Sequence, residues 1–526
     1  MKISFNMQLA INNWQKVKKS HCRIRHYILH IVYCLLSIVI LNSCSISKSS
    51  FSPHKKYSPE QLTKDYSIFR GALEESHPGI YWYTPKNEMD TFFDWGQNQI
   101  RDSLNEEGFR KILSYVISKI NCGHTVTRSS KAFAKYRDTS MNKVFPLSLK
   151  IWPGSSPADD TATVAANLIR KDTTLRRGVV VKKINHQPIS TILDTLCRYI
   201  SSDGHNMTHK YQALSNRGGF GNAFTSVYGQ KENYFIDYLS DDGTEKTAVL
   251  PSYNPRSDSL NRVAISRFAK IGRAERKKQI MRVTRNLRID SLNRIAFMDL
   301  GSFSRNLKLK SFFRSSFKEI RKKKLKNLVV DVRGNGGGSV TNSTLLTKFI
   351  ADRKFKVADS LYANTRNSRY QKYIEGYFFN RLFMLLMTSK KKDGKYHFGY
   401  FERHYFNSKK KNHFNGNVYI LTGGNSFSAT TLFTQTVKQQ DNVTVVGEET
   451  GGGAYGNTAW LIPDLILPET KIRFRLPLFR LVIDKNIPKD GRGVQPEVLA
   501  VPTTESIRRG VDYKMDKVME LIRSRQ

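Results

Sequence analysis

Three glycine-dense stretches carry the residues that could do chemistry. Residues 417–439, "NVYILTGGNSFSATTLFTQTVKQ", read as an apolar strand ending at Thr422, a Gly-Gly-Asn turn, and a helix from about Ala429 with Ala429, Leu432, Phe433 and Val437 on one face. Ser428 sits at the helix mouth, where free amides and the helix dipole favour negative charge. A serine there can attack a carbonyl while the amide of the next residue, Ala429, holds the oxyanion that forms. The same position also suits an ordinary helix cap by Ser426 or Ser428. The segment is not a G-x-S-x-G elbow, because serine stands where the second glycine belongs.

Residues 327–340, "NLVVDVRGNGGGSV", end a buried strand in Arg333 and three consecutive glycines, Gly336–Gly338, whose amides no side chain shields. That is what an oxyanion hole or anion nest requires. A nucleophilic serine also needs a base. His124, in "CGHTV", follows a glycine and has the most distinctive context of the histidines; His77 in "ESHPGIYWY" comes next.

Elements to position these residues are visible along the chain. Residues 58–127 show helical patterns, opening with Ser58 as N-cap and Pro59 at the first helical position. Two further helical patterns cover roughly 86–104 and the stretch "EEGFRKILSYVISKI". Residues 140–255 are β-rich, and "LRRGVVVKKINHQPISTILDTLCRYI" has the order glycine, strand, turn, amphipathic helix that resembles a PDZ domain. Residues 256–290 are basic and helical in pattern, read as a linker or insertion. From 291 to 512 strands and helices alternate, which predicts an α/β core. An aromatic and basic insertion over 365–412 is a candidate lid.

The chain has 526 residues, 39% of them hydrophobic with 30 Phe and 24 Tyr, ample for several packed cores. Residues 1–26 hold six Lys/Arg and no acid; the apolar run 27–41 is short for a membrane span, and "LNSC" follows it. This predicts a signal peptide over 1–43, a lipidated Cys44, and a polar tether over 44–57. An uncleaved anchor is the alternative. Either way the domain works outside the cytoplasm, which argues against a nucleic-acid partner despite a net charge of +42. Basic residues are spread along the chain rather than clustered, as on a solvated surface or one drawn to anionic lipid headgroups. Cys122 and Cys197 would remain as thiols free to pair, but two cysteines make no disulfide framework.

Together "HPGIYWY", "CGHT", "VVDVRGNGGG", "GNVYILTGGNSFSATT", "VVGEETGGG" and "DGRGVQPEV", in that order, resemble the tail-specific (C-terminal processing) serine peptidases, including lipoprotein relatives of Bacteroidetes-type bacteria. The resemblance implies a crotonase/ClpP-like core of strand–strand–helix units beside an N-terminal helical domain and a PDZ-like domain. It also implies a serine endopeptidase acting on exported or envelope polypeptides, near their C-termini, without a cofactor; the sequence shows no metal motif such as H-E-x-x-H, so no metal is expected. "SATT" aligns with the family's S-A-S-E, which makes Ser428 the nucleophile. The best-known members carry a lysine base 25 residues later, where this chain has Gly453. The chain therefore resembles the tricorn-like branch, which implies His124 as base and Gly336 or Gly337, with Ala429, as oxyanion donors. That branch also has a supporting acid, for which Glu449, Asp484 and Asp490 are candidates. A non-catalytic ligand- or peptide-binding member of the same fold is the alternative. The resemblance further implies an outer-membrane lipoprotein facing the periplasm, held to the bacterial membrane by Cys44.

Overall fold

The computed structural model describes residues 51–140, 143–154 and 161–525. The expected signal peptide and lipidated Cys44 lie outside the described residues. Six strands make the central sheet: β1 (Arg285–Asp290), β2 (Ile295–Leu300), β3 (Asn327–Asp331), β4 (Asn417–Thr422), β5 (Val443–Gly447) and β6 (Val498–Leu499), in that spatial order. β1 is antiparallel to β2; every other pair is parallel.

Both faces of this sheet are covered at its centre, so its inner strands read as continuous apolar runs. The two-residue period divides them. Met298, Leu328, Val330, Ile420 and Val445 face one core with the helices α1 (Leu309–Lys322), α2 (Val340–Ile350) and a third described below. Val329, Tyr419, Leu421 and Val446 face the other, with the C-terminal helix Tyr513–Ser524. On α1 the expected face of Leu309, Phe313, Phe317 and Ile320 is buried, and Phe317 stacks on Phe349 with ring centroids 4.4 Å apart.

The basic segment 256–290 departs from its reading. It forms helices Ser259–Ala269 and Arg273–Thr284, but its last six residues are β1, the edge strand of the core. Between α2 and β4 the insertion contains α3 (Tyr377–Met387). The helix after the Gly-Gly-Asn turn is α4 (Ala429–Val437), and the C-terminal helix Tyr513–Ser524 is α5.

The N-terminal helices share their core with the C-terminal half. Ser58 and Gln61 form a capping box on helix Pro59–Ser76, and Phe69 packs edge-on against Phe474 at 5.2 Å. Buried Asp65 accepts the amides of Glu469 and Thr470 at 2.9 and 2.8 Å. The two-residue strand Thr127–Arg128 pairs with Arg473–Arg475. These links fix residues 122–128 against the C-terminal half through a small three-stranded sheet with Asp464–Ile466 and Arg473–Arg475. The polar tether is shorter than expected, since Lys56–Tyr57 already pairs with Leu104–Asn105.

The β-rich segment forms an antiparallel sheet from strands Leu147–Trp152, Thr161–Asn167, Val180–Ile184, Asn233–Leu239 and Glu245–Pro251, with helix Ile189–Cys197 packed into the same core. Cys122 and Cys197 are buried, and neither forms a disulfide. Among the described residues no helix is long and apolar enough to cross a membrane.

Candidate active site

Ser426 and Ser428 part company in the structure. The Ser426 hydroxyl is buried, donates to the Val332 carbonyl at 2.8 Å and accepts the Gly423 amide at 3.2 Å. It ties the β4 turn to the end of β3. Ser428 is half-buried and caps no amide of α4. Its backbone has φ 58° and ψ −119°, a region that costs a non-glycine residue roughly 1–3 kcal/mol. A serine held in strain with an uncommitted hydroxyl is not a capping residue.

The glycine loop lies against it. A Cβ on Gly337 would come within 2.8 Å of the Ser428 Cβ and 2.7 Å of the Phe427 carbonyl oxygen, and Gly337 has φ +95°. Only glycine allows that approach. Gly337 is one of the two glycines expected to share the oxyanion hole with Ala429, but its amide is already given to the Asn335 side chain at 2.9 Å. Among the described residues, the amides of Gly336 and Ala429 have no acceptor. Asn335 also accepts the Phe427 amide through its backbone carbonyl at 3.1 Å, joining the two loops. Arg333 forks between Asp331 and Asp512, the N-cap of α5, and so anchors the loop from behind.

His124 lies on the turn Cys122–Thr125, closed by the Thr125 amide on the Cys122 carbonyl at 3.0 Å. Its ring packs on Phe427, the neighbour of Ser428, with centroids 4.8 Å apart. A Cβ on Gly123 would meet that phenyl ring at 2.5 Å. No hydrogen bond joins His124 to Ser428 among the described residues, and the buried His124 Nδ1 has no partner there. Burial pushes the imidazole down to about 3, helped by nearby Arg475, so it is neutral at pH 7 and in the proton-accepting form. His77 supports the turn: its Nδ1 accepts the Gly79 amide at 3.2 Å and its Nε2 meets the Thr125 hydroxyl at 2.8 Å.

Residues 294–499 match the model of Peptidase family S41. The chain carries a peptidase family S41 domain. It is a serine peptidase, and its substrate is a polypeptide. The fold is similar to that of mature CPAF complexed with lactacystin, at 14% identity over 88% of this chain and 98% of that chain, with a TM-score of 0.61. Mature CPAF alone gives 14% identity, 89% and 98% coverage, and a TM-score of 0.58. No curated protein matches the chain.

Among the described residues none of the three candidate acids hydrogen-bonds to His124. Buried Glu449 accepts the Gly493 amide at 2.6 Å, the Thr208 hydroxyl at 3.0 Å and the Arg492 guanidinium at 3.1 Å. It is a staple between loops. Asp484 and Asp490 accept the amides of Asn486 and Arg492, each at 2.9 Å, as local turn residues. The acid beside His124 is Asp203. One of its carboxylate oxygens, a ring nitrogen of His124 and the Cys122 Sγ lie within 4.8 Å of one another. Asp203 accepts the Gly123 amide at 2.8 Å and the Gly453 amide at 3.2 Å, while burial raises its carboxyl above the usual range. The trio is a poor metal cage: burial holds the Cys122 thiol up at about 11, and both Asp203 oxygens are occupied by amides.

Gly453 explains the missing lysine. A Cβ there would stand 2.7 Å from the Gly456 carbonyl oxygen, so the backbone leaves no room for a side chain. A second histidine, His209, also stacks on Phe427, with centroids 5.0 Å apart, and its Nδ1 meets the Gly424 carbonyl at 2.8 Å. Asp203 and His209 come from "SSDGHNMTH", a run dense in polar residues between helical patterns, and that density was the available signal.

Proposed function

We propose that the protein is an endopeptidase in which Ser428 is the nucleophile and His124 the general base. The observation that carries this reading is the uncapped, strained Ser428 pressed against the Gly337 backbone, with His124 packed on the adjoining Phe427. Ser428 Oγ attacks the scissile carbonyl and His124 takes its proton. The amides of Ala429 and Gly336 receive the oxyanion. His124 returns the proton to the leaving amine as the C–N bond breaks, and water then hydrolyses the acyl-enzyme by the same route. Catalytic hydrogen bonds often tighten only when substrate binds, which accounts for the open Ser428–His124 geometry. Asp203 stabilises the imidazolium that forms, through the turn it holds and through its charge.

Peptide hydrolysis by purified wild type, Ser428→Ala, His124→Ala and the double variant tests this. Residues acting as one unit are not additive, so each single variant loses about as much as the double. Full activity in Ser428→Ala or in His124→Ala discards the corresponding role.

The proposed substrates are exported or envelope polypeptides cut near their C-termini, with residues 140–255 serving as a PDZ-like module. Processing that is identical for free and amidated C-termini would discard carboxylate recognition. The proposed location is the periplasmic face of the outer membrane, through lipidated Cys44, on the strength of the charged, apolar and "LNSC" order of the N-terminus. The mass of the mature N-terminus tests it.

A further inference from the structure

Helix α3 turns an apolar face to water. Phe378, Phe379 and Leu386 are 70%, 74% and 73% exposed, and Leu382, Leu385 and Met387 are exposed beside them. Positions 378, 379, 382, 385 and 386 follow the i, i+1, i+4, i+7, i+8 rule of a single helical face. The opposite side is well anchored. Met384 is buried, and Tyr377 and Phe383 pack on the core. The Tyr377 hydroxyl accepts the Ser368 amide at 2.8 Å. The exposed face is therefore held out by a fixed helix rather than by a loose segment.

We propose that this face docks into the headgroup–acyl boundary of an anionic phospholipid bilayer. Eleven residues rise about 16 Å, too short to span a bilayer but long enough to lie in its surface. Leucine and phenylalanine on one side of a helix with basic residues at its rim is the composition of an interfacial helix. The segments flanking the helix are basic. Lys372, Lys390 and Lys392 are exposed and, among the described residues, no acid pairs with them, while the neighbouring Glu375 and Asp393 are taken by Lys131 and His397. Arg381 projects from the helix itself, bonded to the Asn367 side chain at 2.7 Å. The whole chain carries a net charge of +42. That charge selects the occupant. A second copy would bring the same lysine rim against itself, whereas an anionic surface complements it, each lysine near such a surface adding to the attraction. The assignment does not depend on a lipidated Cys44, since it concerns a different part of the chain.

The test uses the full chain and vesicles of phosphatidylcholine with phosphatidylglycerol, brominated in the acyl chains. Leu386→Trp, read against the wild-type tryptophan background, reports whether α3 enters lipid. The expected result is a blue-shifted emission and bromine quenching beyond wild type. Both weaken in pure phosphatidylcholine, and Lys390→Gln with Lys392→Gln lowers partitioning on the order of tenfold. Phe378→Ser with Phe379→Ser, built into the Leu386→Trp chain, abolishes the quenching while peptide hydrolysis in solution is retained. Emission from the introduced tryptophan that stays water-exposed while the chain is vesicle-bound overturns the proposal. So does shielding without vesicles that grows with protein concentration, which would make the face an interface between copies.

Discussion

The two sides of the site are built differently. On the serine side the polar groups that close the turn are mostly spent. Ser426 joins the Val332 carbonyl to the Gly423 amide, Asn335 takes the amides of Gly337 and Phe427, and Arg333 is closed by two aspartates. On the histidine side the proposed base itself is open: among the described residues His124 Nδ1 has no hydrogen-bond partner, whereas the unmet atoms on the serine side, Asn335 Nδ2 and Thr430 Oγ1, belong to groups that flank the turn. Unmet buried polar groups are costly. The contrast teaches that, in the proposed mechanism, the Ser428 turn and its oxyanion amides are set in advance, while His124 keeps a ring nitrogen open for substrate or ordered water.

Breaking the preset side at its centre has the largest effect. Ser428→Ala lowers kcat on the order of 10⁴-fold or more, measured by peptide hydrolysis, with thermal stability near wild type. Gly337→Ala comes next: a Cβ 2.8 Å from the Ser428 Cβ, at φ +95°, must displace the loop. A misplacement near ~1 Å costs on the order of 10²-fold, so kcat falls by about that factor, and Tm falls as well. Ser426→Ala sharpens the comparison, because it removes a latch and not the nucleophile. It costs about 1–3 kcal/mol of stability by denaturant titration and leaves the serine chemistry in place.

The histidine side has a further effect, which appears with pH. Burial holds both His77 and His124 down to about 3 in the folded protein, against roughly 6.5 unfolded. Between those values the unfolded chain binds more protons, so stability is full above about pH 6.5 and is lost as pH falls toward 3. Thermal melts at pH 7 and pH 5 should show the drop, and His77→Gln should flatten it. For the same reason, activity should not fall across the ordinary histidine range near pH ~6.5.

Much of the serine side is written locally. Strand, glycine turn and helix mouth are consecutive residues, and their pattern puts Ser426, Ser428 and Ala429 at the helix mouth, while the choice of Ser428 over Ser426 comes from the family resemblance. The central sheet is equally open to reading, because fully buried parallel strands such as β3, with Leu328, Val329 and Val330, are unbroken apolar runs. The histidine side is assembled from afar. Asp203 is 79 residues from His124 and 250 from Gly453, and nothing in the local pattern joins them. The capture of the Gly337 amide by Asn335 depends on a side-chain orientation that spacing does not encode. β1 escaped because an edge strand, half-exposed and basic as "RNLRID", lacks both a buried run and a clean alternation.

Covalent labelling of the purified full chain with a fluorophosphonate, followed by mapping of the modified peptide, tests the central claim most directly. The account predicts a single adduct on Ser428, absent in Ser428→Ala and strongly slowed in His124→Ala, with Ser426→Ala still labelled. An adduct on Ser426, or peptide hydrolysis that persists in Ser428→Ala, would contradict it.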